Sequence, residues 1–407
     1  MKKIFYLFSI LLVILQTSCE EESNPEFDEN NFTAIFDNNQ FSITYNPIDV
    51  KQTEDGGYLI LGSRKLPTPP SSSPPLYSGI YIMKADKFGN FTSEVDVDAA
   101  YVNPISPLAQ IDGKYYFFCM QDLTLQTQLV ELTGNGEVTT ITEVSGITFP
   151  TAASYDLDSR LFLLLGYNHV DKQTTFCRVT TSGTIQGAVN EFGIGVGDDN
   201  IDEPLLNHFT RTGTKLPFAV GKAGAQFYFN GFYNYTFSLV FFNPSQENPA
   251  GVVQGQLDEG GMSAVLPLAG NKFAASRFNF GDNYLLPNVL LSTTGISSST
   301  DLGGYSLPEL VSNARVRILS ALIDTKKILI YGSDSRSKQI ALLFYDESTG
   351  TFISSKYLGF SNPFEISSLL QTADGGLVVC GTTYVAGRFP RICLFKISKE
   401  ELEKNSR

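Results

Sequence analysis

Gln52-Thr53-Glu54-Asp55-Gly56-Gly57-Tyr58-Leu59-Ile60-Leu61-Gly62 returns near the end of the chain as Gln371-Thr372-Ala373-Asp374-Gly375-Gly376-Leu377-Val378-Val379-Cys380-Gly381. Each copy reads as a tight Asp-Gly-Gly turn feeding an apolar strand that ends on glycine. Worn copies lie between them at Gln110–Tyr115, Asp156–Leu161, Arg211–Thr214, Leu268–Phe273 and Ile323–Ile328. A second landmark follows, an apolar strand running into another polar turn, as in Tyr81–Gly89, Leu129–Gly136, Phe176–Gly183 and Leu342–Ser348. No long stretch carries the three-and-four apolar spacing of an amphipathic helix.

Asp55 and Asp374 stand 319 residues apart. Six steps across that interval give about 53 residues each, close to the roughly 40–50 residue period of propeller blades. Counting both ends, the spacing predicts an all-β, seven-bladed β-propeller of four-stranded blades. The last unit runs out after Ile392–Ile397 and lacks an outermost strand, while Phe32–Phe36, or the nearby Phe41–Tyr45, is spare at the start. An N-terminal strand that completes the last blade would close the ring and remove the exposed edges that invite aggregation. Rings of six or eight blades and two β-sandwiches in series are the alternatives.

The first residues read as an address. Met1-Lys2-Lys3 is a positive end and Ile4–Leu15 an apolar run of secretory h-region length, too short for a stable span. Leu15-Gln16-Thr17-Ser18-Cys19 resembles the lipobox of bacterial lipoproteins, with Gln16 where an aliphatic residue is common. That resemblance implies cleavage before Cys19 and acylation of its thiol and amine. Glu20-Glu21-Glu22-Ser23 and the polar stretch to Asn31 bury too little to order themselves, which predicts a flexible tether. Acid directly behind the cysteine also resembles the export signal of surface lipoproteins in Bacteroidota, and the Asp-Gly-Gly-Tyr repeat resembles propeller repeats of secreted and lipid-anchored proteins from the same group. The expected organisation is a signal peptide over 1–18, an acidic tether over 19–31, a propeller over 32–402 and a polar tail over 403–407. The expected location is the outer membrane, lipid-anchored and facing the cell exterior.

The 407 residues carry a net charge of −13, with 29 Lys+Arg against 42 Asp+Glu. That balance opposes binding to phosphate-rich nucleic acid. Two histidines and five cysteines leave few ligands for a transition metal, and no cofactor is expected. Asp198-Asp199-Asn200-Ile201-Asp202-Glu203 opens like a calcium loop, with Asp198, Asn200 and Asp202 as candidate ligands. Glu203 and Phe209 then stand where an EF-hand needs Gly and Glu, so a solvated acidic crossing loop is the plainer reading. His169 and His208 lack metal or triad spacing and read as ordinary loop or part-buried residues. Cys119, Cys177, Cys380 and Cys393 fall in or beside apolar strands, where buried free thiols are the favoured reading and a Cys380–Cys393 disulfide across a shared hairpin is the alternative.

If the Asp-Gly turns lie on one rim, the opposite rim carries the loops between second and third strands and the crossings between blades. The sequence places a Pro-rich loop at Arg64–Ser78, an aromatic loop at Lys222–Tyr235 and a third at Arg277–Leu286 on that rim. Tyr77, Tyr228, Tyr233, Tyr235, Phe280, Asp282 and Tyr284 are the candidate contact residues, offering flat apolar area at low entropic cost. Phe227-Tyr228-Phe229 also fits a plain strand. The function these features support is a non-enzymatic binding or assembly platform, tethered by its lipid and docked to an outer-membrane transporter or secretion protein. The alternative is a protein that binds glycans or peptides, or acts on polysaccharides, at the same rim.

Overall fold

The computed structural model describes residues 30–37, 43–65, 75–195, 199–385 and 388–406. The signal peptide, Cys19 and nearly all of the tether therefore lie outside the described residues, as does the Pro-rich run 66–74. The described chain is all-β apart from an α-helix, α1 (Asp199–Phe209), a C-terminal helix, α2 (Lys399–Asn405), and two short 3-10 turns. Successive antiparallel meanders occupy 44–96, 101–148, 152–193, 219–254, 260–306, 316–358 and 364–397. Phe32–Phe36 pairs with Phe389–Ile397 as the outer strand of the last of them. Of the two spare N-terminal segments, the first is thus the one that joins this sheet.

Within each meander the second and third strands are buried on both faces because the sheets stack on one another. Tyr58–Lys65 and Gly79–Ala85 are almost wholly buried, whereas the outer strand Phe91–Asp96 is largely exposed. Each interface is an apolar layer. Ile330, Leu342 and Phe344 of the sixth meander meet Val379, Cys393 and Phe395 of the seventh. Tyr58, Ile60 and Met83 of the first meet Val378, Cys380 and Ile392 of the seventh, so the two ends of the chain share a core.

The Asp-Gly-Gly turns are built by one carboxylate. Asp55 Oδ1 accepts from Gly57 N at 2.9 Å, from Thr53 Oγ1 and from Lys84 Nζ at 2.9 Å. Asp374 repeats this with Gly376 N at 3.0 Å, Thr372 and Lys396. Gly56 has φ +82°, and a Cβ on Gly57 would lie 2.5 Å from Ala85 O, so both positions require glycine. Burial raises the Asp55 carboxyl, yet the bonds from Thr53, Lys84 and Gly57 outweigh it and hold the group at about 2.

Several expectations are corrected. Arg211–Thr214 is not a copy of the repeat: the corresponding turn of the fourth meander is Gly224-Ala225, between Ala219–Ala223 and Gln226–Tyr233. Gly213 exists for another reason, since its Cβ would collide with Asn207 O. At the C-terminus, the polar residues after 402 continue α2 to Asn405. Ser398 caps α2 by accepting from Glu401 N at 3.2 Å, and Leu402 is fully buried. Of the two readings of Cys380 and Cys393, the favoured one of buried free thiols stands: they face opposite sides of their sheet, one toward the first meander and the other toward the sixth, which rules out the disulfide.

Candidate functional site

Turns between first and second strands gather at one end of the molecule, linked from meander to meander by hydrogen bonds. Gln52 Oε1 accepts from Ala373 N at 2.8 Å, Gln371 bonds both ways with Leu322, and Arg160 reaches Asp112 at 2.6 Å. The opposite end carries the second-to-third turns and the crossings, and there the sequence-derived contact residues divide. Tyr228 is buried in the strand Gln226–Tyr233, packed toward Phe241, and Tyr233 is half-buried at its end. The expected aromatic loop Lys222–Tyr235 therefore shrinks to the turn Asn234-Tyr235, because its alternating rings fill the layers on both faces of a central strand. Arg277–Leu286 is likewise two strand ends around Phe280-Gly281. Phe280 and Asp282 are exposed at this tip, while the Arg277 guanidinium stacks 3.8 Å over the Tyr284 ring. Tyr77 packs at the margin of the cluster beneath α1.

The acidic crossing expected at 198–203 is instead the start of α1. Ile201, Leu205 and Phe209 repeat every fourth residue and bury one face against Val102, Phe149, Tyr167, Phe232 and Phe237. Of the three calcium candidates, Asp198 and the Asn200 side chain lie outside the described residues. Asp202 is buried and turned toward protein partners: it accepts from Tyr167 Oη, and His169 Nδ1 and Lys172 Nζ approach it at 3.3 and 3.8 Å. Its carboxylate thus ties α1 to the turn after Leu161–Asn168. His208 Nδ1 accepts from Leu216 N at 2.8 Å, and burial, with Lys215 adding to it, pushes the imidazole down to about 3. His208 is a neutral brace for the bend that follows α1.

That bend leads to a group of residues no linear pattern disclosed. Arg211 and Lys215 follow α1, Lys65 ends the strand Tyr58–Lys65, and Arg315 and Arg317 flank the start of Val316–Ile323. Asp334 ends Lys326–Asp334, and Glu365 begins Phe364–Gln371. These elements belong to the first, sixth and seventh meanders and to the crossing between the third and fourth. Side chains from these separated sheets nevertheless come within electrostatic reach of one another. Lys215 is held down to about 8 by burial and then by Lys65 and Arg315; burial and Arg211 lower Lys65. Arg317 falls to about 10 through burial and the neighbouring Arg315, against the pull of Asp49 and Asp334. Asp334 is raised to about 6, chiefly by burial, although Ile366 N and Arg315 favour its charged form. Glu365 Oε1 accepts from Tyr384 Oη at 2.9 Å. All of these groups except Asp49 retain contact with water although protein surrounds them, as in a concave mouth. The tandem Arg315-Val316-Arg317 was the only local signal for it.

No family model matches the chain, and no curated protein matches it. Solved structures do match over most of its length. Raptor from Chaetomium thermophilum aligns at 11% identity over 90% of this chain and 30% of its own, with a TM-score of 0.50. The Dos1 propeller aligns at 8% identity over 90% and 95%, with a TM-score of 0.48. The β-propeller domain of the Trilobed protease from Pyrococcus furiosus, described as having an open velcro topology, aligns at 9% over 86% and 93%, at 0.47. The chain spans less than a third of the Raptor structure, and at these identities the likeness concerns fold alone. The all-β, multi-sheet fold resembles β-propeller domains.

Proposed function

We propose that this protein is a lipid-anchored, non-enzymatic binding or assembly platform of the outer membrane. Its meanders are read as the seven blades of a closed ring, with Phe32–Phe36 completing the last blade and Cys19 carrying the lipid. The partner is an outer-membrane transporter or secretion protein, docked on the end opposite the Asp-Gly-Gly turns. The observation that carries this reading is the placement of exposed apolar side chains. Leu76, Leu123, Val170, Leu257, Phe280 and Phe360 all stand at turns or crossings of that end, with Leu123 84%, Val170 89% and Phe360 75% exposed. They come from different meanders, so no single element accounts for their exposure. An apolar ring of this kind is what a protein contact would cover.

The chain's course sets what the tether must allow. Phe32 pairs with Lys396 beside the Asp374 turn, so the described chain begins at the end away from the apolar ring. Residues 20–31 can span about 40 Å when extended, enough for the domain to turn its apolar end toward a protein in the membrane. In the test, the native protein is extracted in mild detergent through a C-terminal tag and its companions are identified by mass spectrometry. A stoichiometric outer-membrane protein that is lost from the Leu123→Asp/Phe280→Asp variant is the expected result. Isolation of the unaltered protein alone, or a partner indifferent to both changes, contradicts the reading.

A second reading, a polysaccharide-acting or glycan-binding protein, draws on Asp334 and Glu365. One carboxyl is raised to about 6 while the other receives a bond from Tyr384, an unequal pair of the sort glycoside hydrolysis employs. Turnover of a complex glycan that disappears in Asp334→Asn would favour it.

A further inference from the structure

The chain as a whole is acidic, yet Lys65, Arg211, Lys215, Arg315 and Arg317 gather at one mouth. Among the described residues, Lys65, Lys215, Arg315 and Arg317 form no ion pair with a carboxylate. What they touch is mostly backbone. Lys215 Nζ donates to His208 O and, at 3.0 Å, to Thr210 O. Arg315 Nη1 donates to Ile366 O at 3.1 Å and Arg317 Nε to Ser367 O at 2.6 Å. The nearby carboxylates are engaged elsewhere, Asp334 with Ile366 N and Glu365 with Tyr384. Residues 66–74, which follow Lys65, contain no charged side chain.

Like charges in a concave site repel each other more strongly than in open water, and water replaces a missing counter-charge only in part. The carbonyl bonds use few of the available donors: a guanidinium offers five N–H groups and an ammonium three. The remaining donors stand at a surface that water reaches. We infer that the mouth formed by Lys65, Arg211, Lys215 and Arg315 binds a multiply charged oxyanion, a carboxylate or a phosphate. Bidentate capture by the guanidiniums suits either group. The site does not depend on the docking of a protein partner, because a small anion suffices to fill it.

The test is calorimetric titration of the Cys19→Ala chain with citrate and, separately, pyrophosphate, at low salt near pH 8. Saturable one-site binding is expected, and the tighter of the two anions identifies the group recognised. Arg211→Gln and Lys215→Gln should each weaken it about tenfold or more, the loss of one charge-assisted contact. Lys326→Gln/Lys327→Gln, in a groove beside Asp346 and Glu347 at the other end of the molecule, should leave it unchanged. An anion beside Lys215 draws a proton onto it, so the heat of binding should vary with buffer ionisation enthalpy. That variation should vanish in Lys215→Gln and persist in Arg211→Gln. Circular dichroism and the thermal midpoint should show both variants folded at the titration temperature, which separates lost binding from lost fold. Absence of saturable binding by either anion overturns the inference. So does equal affinity in both mouth variants, or equal weakening by the lysine control.

Discussion

Replacing Asp37 with alanine removes the carboxylate partner of a guanidinium that water does not reach. Arg391 has no exposed side-chain surface; its Nε donates to Asp37 Oδ1 at 2.8 Å, and its Nη1 donates to Ile43 O at 3.1 Å and Pro390 O at 3.0 Å. These bonds tie Asp37, which follows Phe32–Phe36, and Ile43, which precedes Thr44–Gln52, to the last meander. Breaking one side of a buried pair costs about 3–5 kcal/mol. Asp37 keeps 28% of its side-chain surface exposed, so water can partly replace it. The expected loss is therefore about 2–3 kcal/mol. Adding Arg391→Met removes the buried charge but leaves two carbonyls without their donor, at about 1 kcal/mol each. The double variant should then be about as stable as Asp37→Ala alone. Urea unfolding of the Cys19→Ala chain and its variants measures this. An Asp37→Ala variant within about 0.5 kcal/mol of the parent would refute the latch.

Further outcomes follow from the same structure. Asp55 is held at about 2 in the fold against 3.8 unperturbed, so its stabilisation is present above about pH 4 and lost as pH falls toward 2. Asp55→Asn should flatten the decline of the thermal midpoint across that window, and an unchanged slope would discount the Thr53–Asp55–Lys84 arrangement. Phe229 is fully buried between Phe192 and Phe242, with ring centroids at 4.9 and 6.0 Å. Phe229→Ala should cost about 3–5 kcal/mol in urea unfolding; a loss below about 1 kcal/mol would mean the layer is not packed as described. Burial raises the Cys380 and Cys393 thiols, so neither should react with a maleimide at neutral pH until the chain unfolds. Prompt labelling of the native protein, or a mass lowered by a disulfide, would contradict their placement.

The repeat was legible in the sequence because its chemistry is local: Asp55, Gly56 and Gly57 fall within three residues and make the turn themselves. A last unit that lacked a strand pointed to an N-terminal partner but left Phe32–Phe36 and Phe41–Tyr45 open, and only the pairing with Phe389–Ile397 selects the first. Other features were hidden for physical reasons. Phe227-Tyr228-Phe229 looks like a binding surface in one dimension, and only the stacked sheets on both sides show that the rings are core. The four-residue spacing of Ile201, Leu205 and Phe209 was present, but an acidic start and Pro204 masked a helix of 11 residues. Lys65, Lys215 and Arg315 stand at least a hundred residues apart, and their meeting is a property of how separate sheets pack together. Lys84 and Lys396 show the reverse case, where a charge quoted inside an apolar strand proved to complete a turn on the neighbouring hairpin.

The central claim, that the end opposite the Asp-Gly-Gly turns is a docking surface, is tested most directly by position-specific photo-crosslinking in intact membranes. A crosslinking residue at Leu123 or Phe280 should trap one and the same outer-membrane protein in near-stoichiometric yield. The same residue at Leu157 or Leu322, exposed at the other end, should trap none. Crosslinks from Leu157 or Leu322 alone, or from none of the four positions, would contradict the account.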